Sequence, residues 1–304
     1  MCIRDRYEDS AEDLVHEMLQ KEVWKEHPLG YIISGEKENV RRFTREEICK
    51  FMEEHYVGDK MLISVAGNIN TSRVMQFLEE KFGDIRQVGK GEKLTRPEYR
   101  KTFYSRHKEI EQAHLDLAFP SISYHSEERY VLAVLNSVLG GSINSRLFQK
   151  IREEKGYAYT IYSYGSSYKE AGLLQIYAAT NPRQMKKMVE SIYQIVQELK
   201  QKGVSYAELA RIKEELKTEL IIGTESSKTK MNNNAKALLQ YGRIVPLEED
   251  LKKLEEVTTE DVAFYAKKFL NLSESSMAVV GNRKEIPLEE IEEIWRNWSE
   301  QCTK

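Results

Sequence analysis

Cysteine is scarce in this chain. Its 304 residues include three, at positions 2, 49 and 302. That is too few and too scattered for a disulfide framework or a Cys-based zinc site, and it fits a reducing compartment, with the cytoplasm as the expected location. Long apolar runs are missing too. The longest, Tyr130–Leu139, is interrupted by Asn136 and Ser137, whereas a spanning helix needs about 20 apolar residues. There is no excess of charge. Lys plus Arg number 46 and Asp plus Glu 49, a net charge of −3, so neither a nucleic-acid footprint nor a polybasic membrane patch is expected. No apolar leader follows the polar start Met1-Cys2-Ile3-Arg4-Asp5-Arg6, which bears on export only if Met1 is the true start.

What is present suffices for substantial cores. Hydrophobic residues make up 40% and charged residues 31%, a globular composition with room for two domains. The most informative feature is an internal repeat. Residues 44–68, TREEICKFMEEHYVGDKMLISVAGN, align without a gap to 258–282, TTEDVAFYAKKFLNLSESSMAVVGN, at an offset of 214. Thr44, Glu46, Val65 and Gly67-Asn68 match Thr258, Glu260, Val279 and Gly281-Asn282. Each copy predicts the same local structure. Thr44 with Glu47, and Thr258 with Asp261, have capping-box spacing. A helical apolar face follows in each, then a buried strand (Met61–Ala66, Met277–Val280) stopped by Gly-Asn. A further helix closes each copy, Thr71–Phe82 and Pro287–Trp298, the second with Pro in its first turn.

A duplicated fold follows. The polar segment 89–100, with Gly89, Gly91 and Pro97, reads as a linker. Residues 101–304 then form a complete second unit, and 1–88 the C-terminal part of a first one. The offset places about 110 residues of that first unit ahead of Met1, so the chain is expected to be an N-terminally truncated fragment. Within the second unit, strands are predicted at Lys101–Arg106, Ala113–Phe119, Tyr157–Tyr164 and Leu173–Ala179, the last two as a hairpin. Helices are predicted at Glu127–Leu139, Ser145–Glu154, Pro182–Lys202, Tyr206–Ile222, Ser226–Tyr241 and Glu248–Glu256. This grouping indicates an α+β fold, a mainly antiparallel sheet with helices packed on one face.

The run Asn144-Ser145-Arg146-Leu147-Phe148-Gln149-Lys150-Ile151-Arg152-Glu153-Glu154-Lys155-Gly156-Tyr157-Ala158-Tyr159 strongly resembles the S-R-L-F-x-x-[IL]-R-E-x-x-G-x-x-Y signature of the M16 zinc peptidases (insulinase, pitrilysin and mitochondrial processing peptidase-like). Leu139-Gly140-Gly141, the stretch from Tyr7 to Glu17, His27-Pro28-Leu29-Gly30 and the two Gly-Asn turns fit as well. The resemblance covers nearly the whole chain and is nearest to members built from two homologous units. It implies an endopeptidase acting on peptides or unfolded segments, with zinc as cofactor. It also implies a chamber between two units and a homo- or heterodimer with another M16-like chain. In the family, zinc is held by H-x-x-E-H on a helix of the first unit and by a later Glu, the first Glu acting as general base.

H-x-x-E-H is absent here. No two of the six histidines, at 16, 27, 55, 107, 114 and 125, are four apart. Ile3, Arg4 and Asp5 stand where the later Glu would fall, and the first six residues match nothing in the pattern. No metal ligand is assigned to this chain, and the fragment alone is expected to be inactive. In the second unit, Leu132-Ala133-Val134-Leu135-Asn136 occupies the place of the metal motif, as in the family's non-catalytic half.

Arg152 and Tyr159 match family residues that reach toward substrate and zinc. Arg can hold a substrate carbonyl, and Tyr can donate to the developing oxyanion. A surface Arg and a sheet-packing Tyr are the bland alternative. His16-Glu17 reads as an exposed helix pair, His27 as part of a turn, and Glu219 as a solvated side chain. Strand alternation puts His107, Glu109 and Glu111 on one face and His114 on the other, against a shared metal. The five tyrosines of 157–168 fit either a peptide-binding wall or ordinary sheet composition. Gly140-Gly141-Ser142 is short beside the Gly-rich loop of the non-catalytic processing-peptidase subunit. The main alternative to an enzyme is a non-catalytic scaffold or partner subunit.

Overall fold

The computed structural model describes residues 8–85 and 95–301, with side chains described as far as Trp298. Most of the expected linker, 89–94, lies outside the described residues. Helices form at Ala11–Val23 (α1), Lys37–Arg42 (α2), Arg45–His55 (α3), Thr71–Phe82 (α4), Arg129–Asn136 (α5), Met185–Lys202 (α6), Tyr206–Gly223 (α7), Ser227–Tyr241 (α8), Leu247–Glu256 (α9), Thr259–Phe269 (α10) and Leu288–Gln301 (α11). Strands form at Phe103–His107 (β1), Ala113–Ser121 (β2), Thr160–Ser167 (β3), Gly172–Thr180 (β4) and Ser276–Gly281 (β5).

The strands make one sheet in the order β1-β5-β2-β4-β3. Only β1 and β5 are parallel; the other pairs are antiparallel, including the β3–β4 hairpin. Pro120, expected to end β2, lies inside it. The tolerance is local: β5 pairs with β2 only as far as Ala118, so the missing N–H of Pro120 interrupts no ladder on that side.

Two compact units divide the chain, and their limits differ from those of the repeat. The first comprises residues 1–34, 96–216 and 252–304, the second 35–95 and 217–251. Residues 8–34, sequence neighbours of the first repeat, pack with the second repeat's sheet. Residues 217–251, which correspond to 3–37 at the same offset, group with residues of the first repeat. A boundary drawn along the chain cannot express such an exchange.

In the first unit, alternating strand residues face opposite ways. Leu115, Leu117, Phe119, Leu174, Ile176, Met277 and Val279 are buried on the face where α10 packs on β2 and α5 on β3. This is the expected helix layer. The opposite face is also covered. Ala118, Leu173, Tyr177, Ala179, Ala278 and Val280 pack against Leu14, Val15, Met18, Leu19 and Val23 of α1. That helix forms because Ser10 caps it by accepting from the Asp13 N–H at 3.2 Å, because Glu12 and Asp13 favour its positive end, and because its apolar residues share one stripe.

The signature segment takes an unusual form. After α5 the chain widens into π-helical turns at Ser137–Gly141 and again at Phe148–Glu154. Gly140 is required there: a Cβ would sit 2.6 Å from the Ser163 backbone N and 3.0 Å from Leu147 Cδ1. Gly140→Ala is therefore expected to lower stability by about 1–3 kcal/mol through overpacking. Gly165→Ala, where nothing lies within 4 Å of the new Cβ, is the control in a urea titration.

Both capping boxes form, Thr44 with Glu47 and Thr258 with Asp261, yet the two repeats diverge beyond them. In the first unit Met277 and Val279 are buried in β5 between β1 and β2. In the second unit their counterparts Ile63 and Val65 are each 46% exposed, and the expected strand 61–66 does not form. A strand exists through its neighbours' hydrogen bonds, and no strand flanks 61–66 among the described residues. Ile48, Phe51 and Met52 of α3 are likewise exposed, while Val262 and Ala266, the counterparts of Ile48 and Met52, are fully buried. Val57 is the one buried apolar residue of the second unit among those described, and the Ser64 hydroxyl donates to the Met231 carbonyl at 2.9 Å within it.

Candidate functional site

Two groups of residues in the first unit have the chemistry of a site. The first is the signature segment. Gly156 at φ +63° closes it, a left-handed turn that lets the Tyr157 N–H reach back to the Ile151 carbonyl at 2.9 Å. Arg152 and Tyr159 then stand on either side of that turn. The Arg152 guanidinium lies over the Phe148 ring at 4.7 Å, has Glu153 at 3.8 Å, and keeps 44% of its side chain exposed. Tyr159 is 56% exposed. Its backbone N–H is tied to the Ala179 carbonyl at 2.9 Å, and no side chain among the described residues engages its phenol. Arg146 is structural instead. It forks onto Glu208 at 2.7 and 3.0 Å and onto the Gly203 carbonyl at 2.8 Å, fastening the segment to the start of α7.

The second group departs from the sequence reading. His16, expected as part of an exposed pair, lies against the sheet. Its Nδ1 is 2.7 Å from Asp116 Oδ2, with side-chain exposures of 23% and 0%. The helical stripe places Met18 and Leu19 toward the sheet, and His16 sits at the edge of that stripe, so burial reaches it too. Asp116 Oδ2 also accepts from Gln175 Nε2 at 2.8 Å and lies 3.4 Å from the Tyr164 hydroxyl. Tyr164 in turn accepts from Gln175 Nε2 at 2.7 Å and lies 2.8 Å from His16 Nδ1. Tyr162 donates to Glu12 Oε1 at 2.6 Å. Asp116 Oδ1 is buried without a partner among the described residues. A cleft of about 260 Å³ opens beside this centre, lined by His16, Gln20, Tyr162, Tyr164, Ser166 and Gln175.

Electrostatics follow the geometry. Burial opposes charging of His16, but the hydrogen bond to Asp116 and the nearby carboxylates of Asp116, Glu12 and Asp13 outweigh it, and the His16 pKa lies above its ordinary 6.5. Burial pushes the phenols of Tyr162, Tyr164 and Tyr177 upward, and the neighbouring carboxylates add to this. His114 is pulled down to about 4, chiefly by burial. It is therefore neutral near pH 7, and its Nδ1 shares a hydrogen bond with the Tyr177 hydroxyl at 2.8 Å.

The remaining candidates are scattered. His27 Nδ1 accepts from the Leu29 N–H at 3.1 Å in its turn. His107 Nδ1 accepts from the Arg283 N–H at 3.3 Å, away from His114. Glu219 is exposed. No three His, Cys, Asp or Glu side chains among the described residues are grouped to hold a metal, so zinc has no ligand set in them. No helix among those residues is long and apolar enough to cross a membrane. A signal for the Asp116 centre existed in the sequence: His114-Leu115-Asp116-Leu117-Ala118 places an acid inside a strand otherwise read as buried.

A mainly antiparallel five-stranded sheet with a helix layer, carrying the S-R-L-F segment on π-helical turns with Arg and Tyr exposed beyond it, defines the non-metal half of an M16-type peptidase fold. The family model described as "Peptidase M16 inactive domain" matches residues 42–216, more than half of the chain, and the chain belongs to that family. It is 41% identical over 256 residues to a protein of Bacillus subtilis named "Uncharacterized zinc protease YmxG", covering 84% of this chain and 62% of that protein. The chain thus spans about three-fifths of that relative's length. Among solved structures it resembles the peptidase M16 inactive domain from Pseudomonas fluorescens, with TM-score 0.82 and 20% identity over 91% of this chain and 67% of that one. It also resembles a chain of complex III2 from Candida albicans, with TM-score 0.83 and 18% identity over 97% of this chain and 72% of that one. These two likenesses bear on the fold alone.

Proposed function

We propose that this chain is the C-terminal portion of a zinc-dependent M16-type endopeptidase acting on peptides or unfolded segments. It supplies Arg152 and Tyr159 to a catalytic site whose metal is held by residues upstream. The carrying observation is the exposed, unengaged phenol of Tyr159 across a rigid turn from Arg152, within an intact signature. The naming of the Bacillus subtilis relative as a zinc protease supports the cofactor. The bare apolar face of the second unit supports an upstream partner. Of its repeat counterparts, Met277 and Val279 are buried between β1 and β2, and Val262 is buried on α10, which packs on α5, α6 and β2, so the natural cover for Ile48, Ile63 and Val65 is a segment of strands and helices like 101–202. In this reading residues 1–88 and 101–304 are the two family units, joined by 89–100, and the whole protein pairs with another M16-like chain in the cytoplasm. Neither nucleic acid nor a membrane is a partner.

Purified alone and supplied with zinc, the chain is expected to show no zinc-dependent cleavage of a quenched fluorescent peptide. The version extended upstream, bearing H-x-x-E-H, is expected to cleave it. Robust cleavage by the chain alone, or none by the extended protein, overturns the proposal. The likeness to a chain of complex III2 supports a second reading, a non-catalytic scaffold or partner subunit. An upstream sequence lacking H-x-x-E-H favours that reading.

A further inference from the structure

We propose that α1 is a pH-released cover: the His16–Asp116 ion pair clamps it over the tyrosine-bearing face of the sheet, and the clamp slackens when His16 loses its proton. Such a cover does not depend on whether the protein is an enzyme. Its basis is an asymmetry in how α1 is held. The apolar stripe of Leu14, Val15, Met18, Leu19 and Val23 packs on the sheet whatever the pH. The helix's one bond to a fully buried charge is His16 Nδ1 to Asp116 Oδ2, at 2.7 Å and across 100 positions of sequence. Asp116 cannot turn to water for compensation, because it is 0% exposed and its other oxygen has no partner among the described residues. Losing the imidazolium therefore leaves a buried carboxylate held by neutral donors alone, the Gln175 amide, the Tyr164 hydroxyl and the imidazole N–H, with no counter-charge.

Groups face His16 from every element packed around it. On α1 itself they are Glu12, Asp13 and Glu17, with Gln20 one turn on. From β2 they are Asp116 and His114, from β3 Tyr162 and Tyr164, and from β4 Gln175 and Tyr177. From β1 come Tyr104, packed against the α1 cluster, and Arg106, bonded to Glu8 at 2.8 Å and with Met18 Sδ 4.0 Å from its guanidinium. Strand β5 offers no titratable side chain. Lys108 donates to the carbonyls of Glu8 and Asp9, just ahead of the helix. Between neutral and mildly alkaline pH the phenols stay neutral, being pushed upward. His114 stays neutral as well. Glu17 is raised by burial and by Asp13 and Glu8. His16, raised above its ordinary 6.5, is the group whose charge the buried Asp116 pairs with.

The sign follows from the raised His16 value. The clamp is complete below the ordinary 6.5 and is lost as pH rises through the folded-state value. What loosening uncovers is Tyr162, Tyr164, Tyr177 and the cleft beside them, a polar aromatic face suited to extended peptide.

The test is hydrogen–deuterium exchange by mass spectrometry on the full chain between about pH 6 and about pH 9, corrected for intrinsic exchange. Amides of 11–23 are expected to lose protection relative to those of β4 as pH rises, by about tenfold for each unit by which the His16 pKa is raised. His16→Gln, which keeps a donor but no charge, is expected to show low protection throughout and no slope. A ratio constant across the range in the parent chain, or an unchanged slope in His16→Gln, overturns the proposal. Should that variant fail to fold, the imidazole titration of His16 followed by NMR in the parent chain decides: a midpoint above 6.5 supports the clamp, and one at or below it overturns it.

Discussion

Asp116→Ala is expected to destabilise the sheet unit by about 3–5 kcal/mol, the cost of removing one partner from a buried, hydrogen-bonded ion pair. The carboxylate is fully buried and serves His16, Gln175 and Tyr164 together. Truncation leaves their polar hydrogens aimed at a void and an imidazolium with no counter-charge among its sheet contacts. Asp116→Asn keeps the shape and an acceptor oxygen but removes the charge, and should fall between the parent and the alanine variant. The deficit also has a pH signature. It should be largest below the ordinary histidine value of 6.5 and shrink as pH rises through the raised His16 value, because the parent then loses the charged part of the same interaction. Urea melts at several pH values measure this, and a His16→Ala/Asp116→Ala double-mutant cycle should return a coupling of about 0.5–3 kcal/mol. An alanine variant within about 0.5 kcal/mol of the parent, typical of a neutral surface change, would show that the centre has no structural weight.

Tyr159→Phe in the upstream-extended protein is expected to lower kcat by about 10²–10³, the usual effect of deleting one oxyanion donor. The expectation is sharp because the substitution should leave the fold alone. The ring is 56% exposed, and its hydroxyl bonds to no side chain among the described residues, so stability should change by less than about 0.5 kcal/mol. A loss of rate at unchanged melting temperature and KM therefore isolates a transition-state role. Arg152→Leu should act differently, raising KM, because a guanidinium holding a substrate carbonyl binds ground state and transition state alike. If Tyr159→Phe turns peptide over at the parent rate, the oxyanion role is wrong, even if the protein proves to be a peptidase.

Much of the fold was legible because it is written locally. Thr44 and Thr258 announce their helices through spacing alone, since a capping box is closed within four residues. Gly156 ends its turn because only glycine takes φ near +63° cheaply. The hairpin of β3 and β4 follows from two β-rich runs; the connection, read as a longer loop over Ser-Ser-Tyr-Lys-Glu-Ala-Gly, narrows to residues 168–171 because both strands extend into it. The strand expected at 61–66 did not form, although its copy at 276–281 did. Both places hold short, β-prone, largely apolar runs ending in Gly-Asn, and the difference lies in neighbours contributed by residues far along the chain. His16 shows the same limit. Its own helix gives no sign that an acid 100 positions away will face it.

By itself, then, the sequence determined the internal repeat, the caps, the α+β class and the family resemblance, all of which rest on short-range spacing or on one segment matching another. Only the tertiary structure decided that α1 lies on the second repeat's sheet, that one copy of the repeated strand is paired and the other bare, and that His16, Asp116, Tyr164 and Gln175 share a buried centre. Those facts depend on which distant surfaces bury one another and on strand register. Burial then decides whether a charge is solvated or must find a partner.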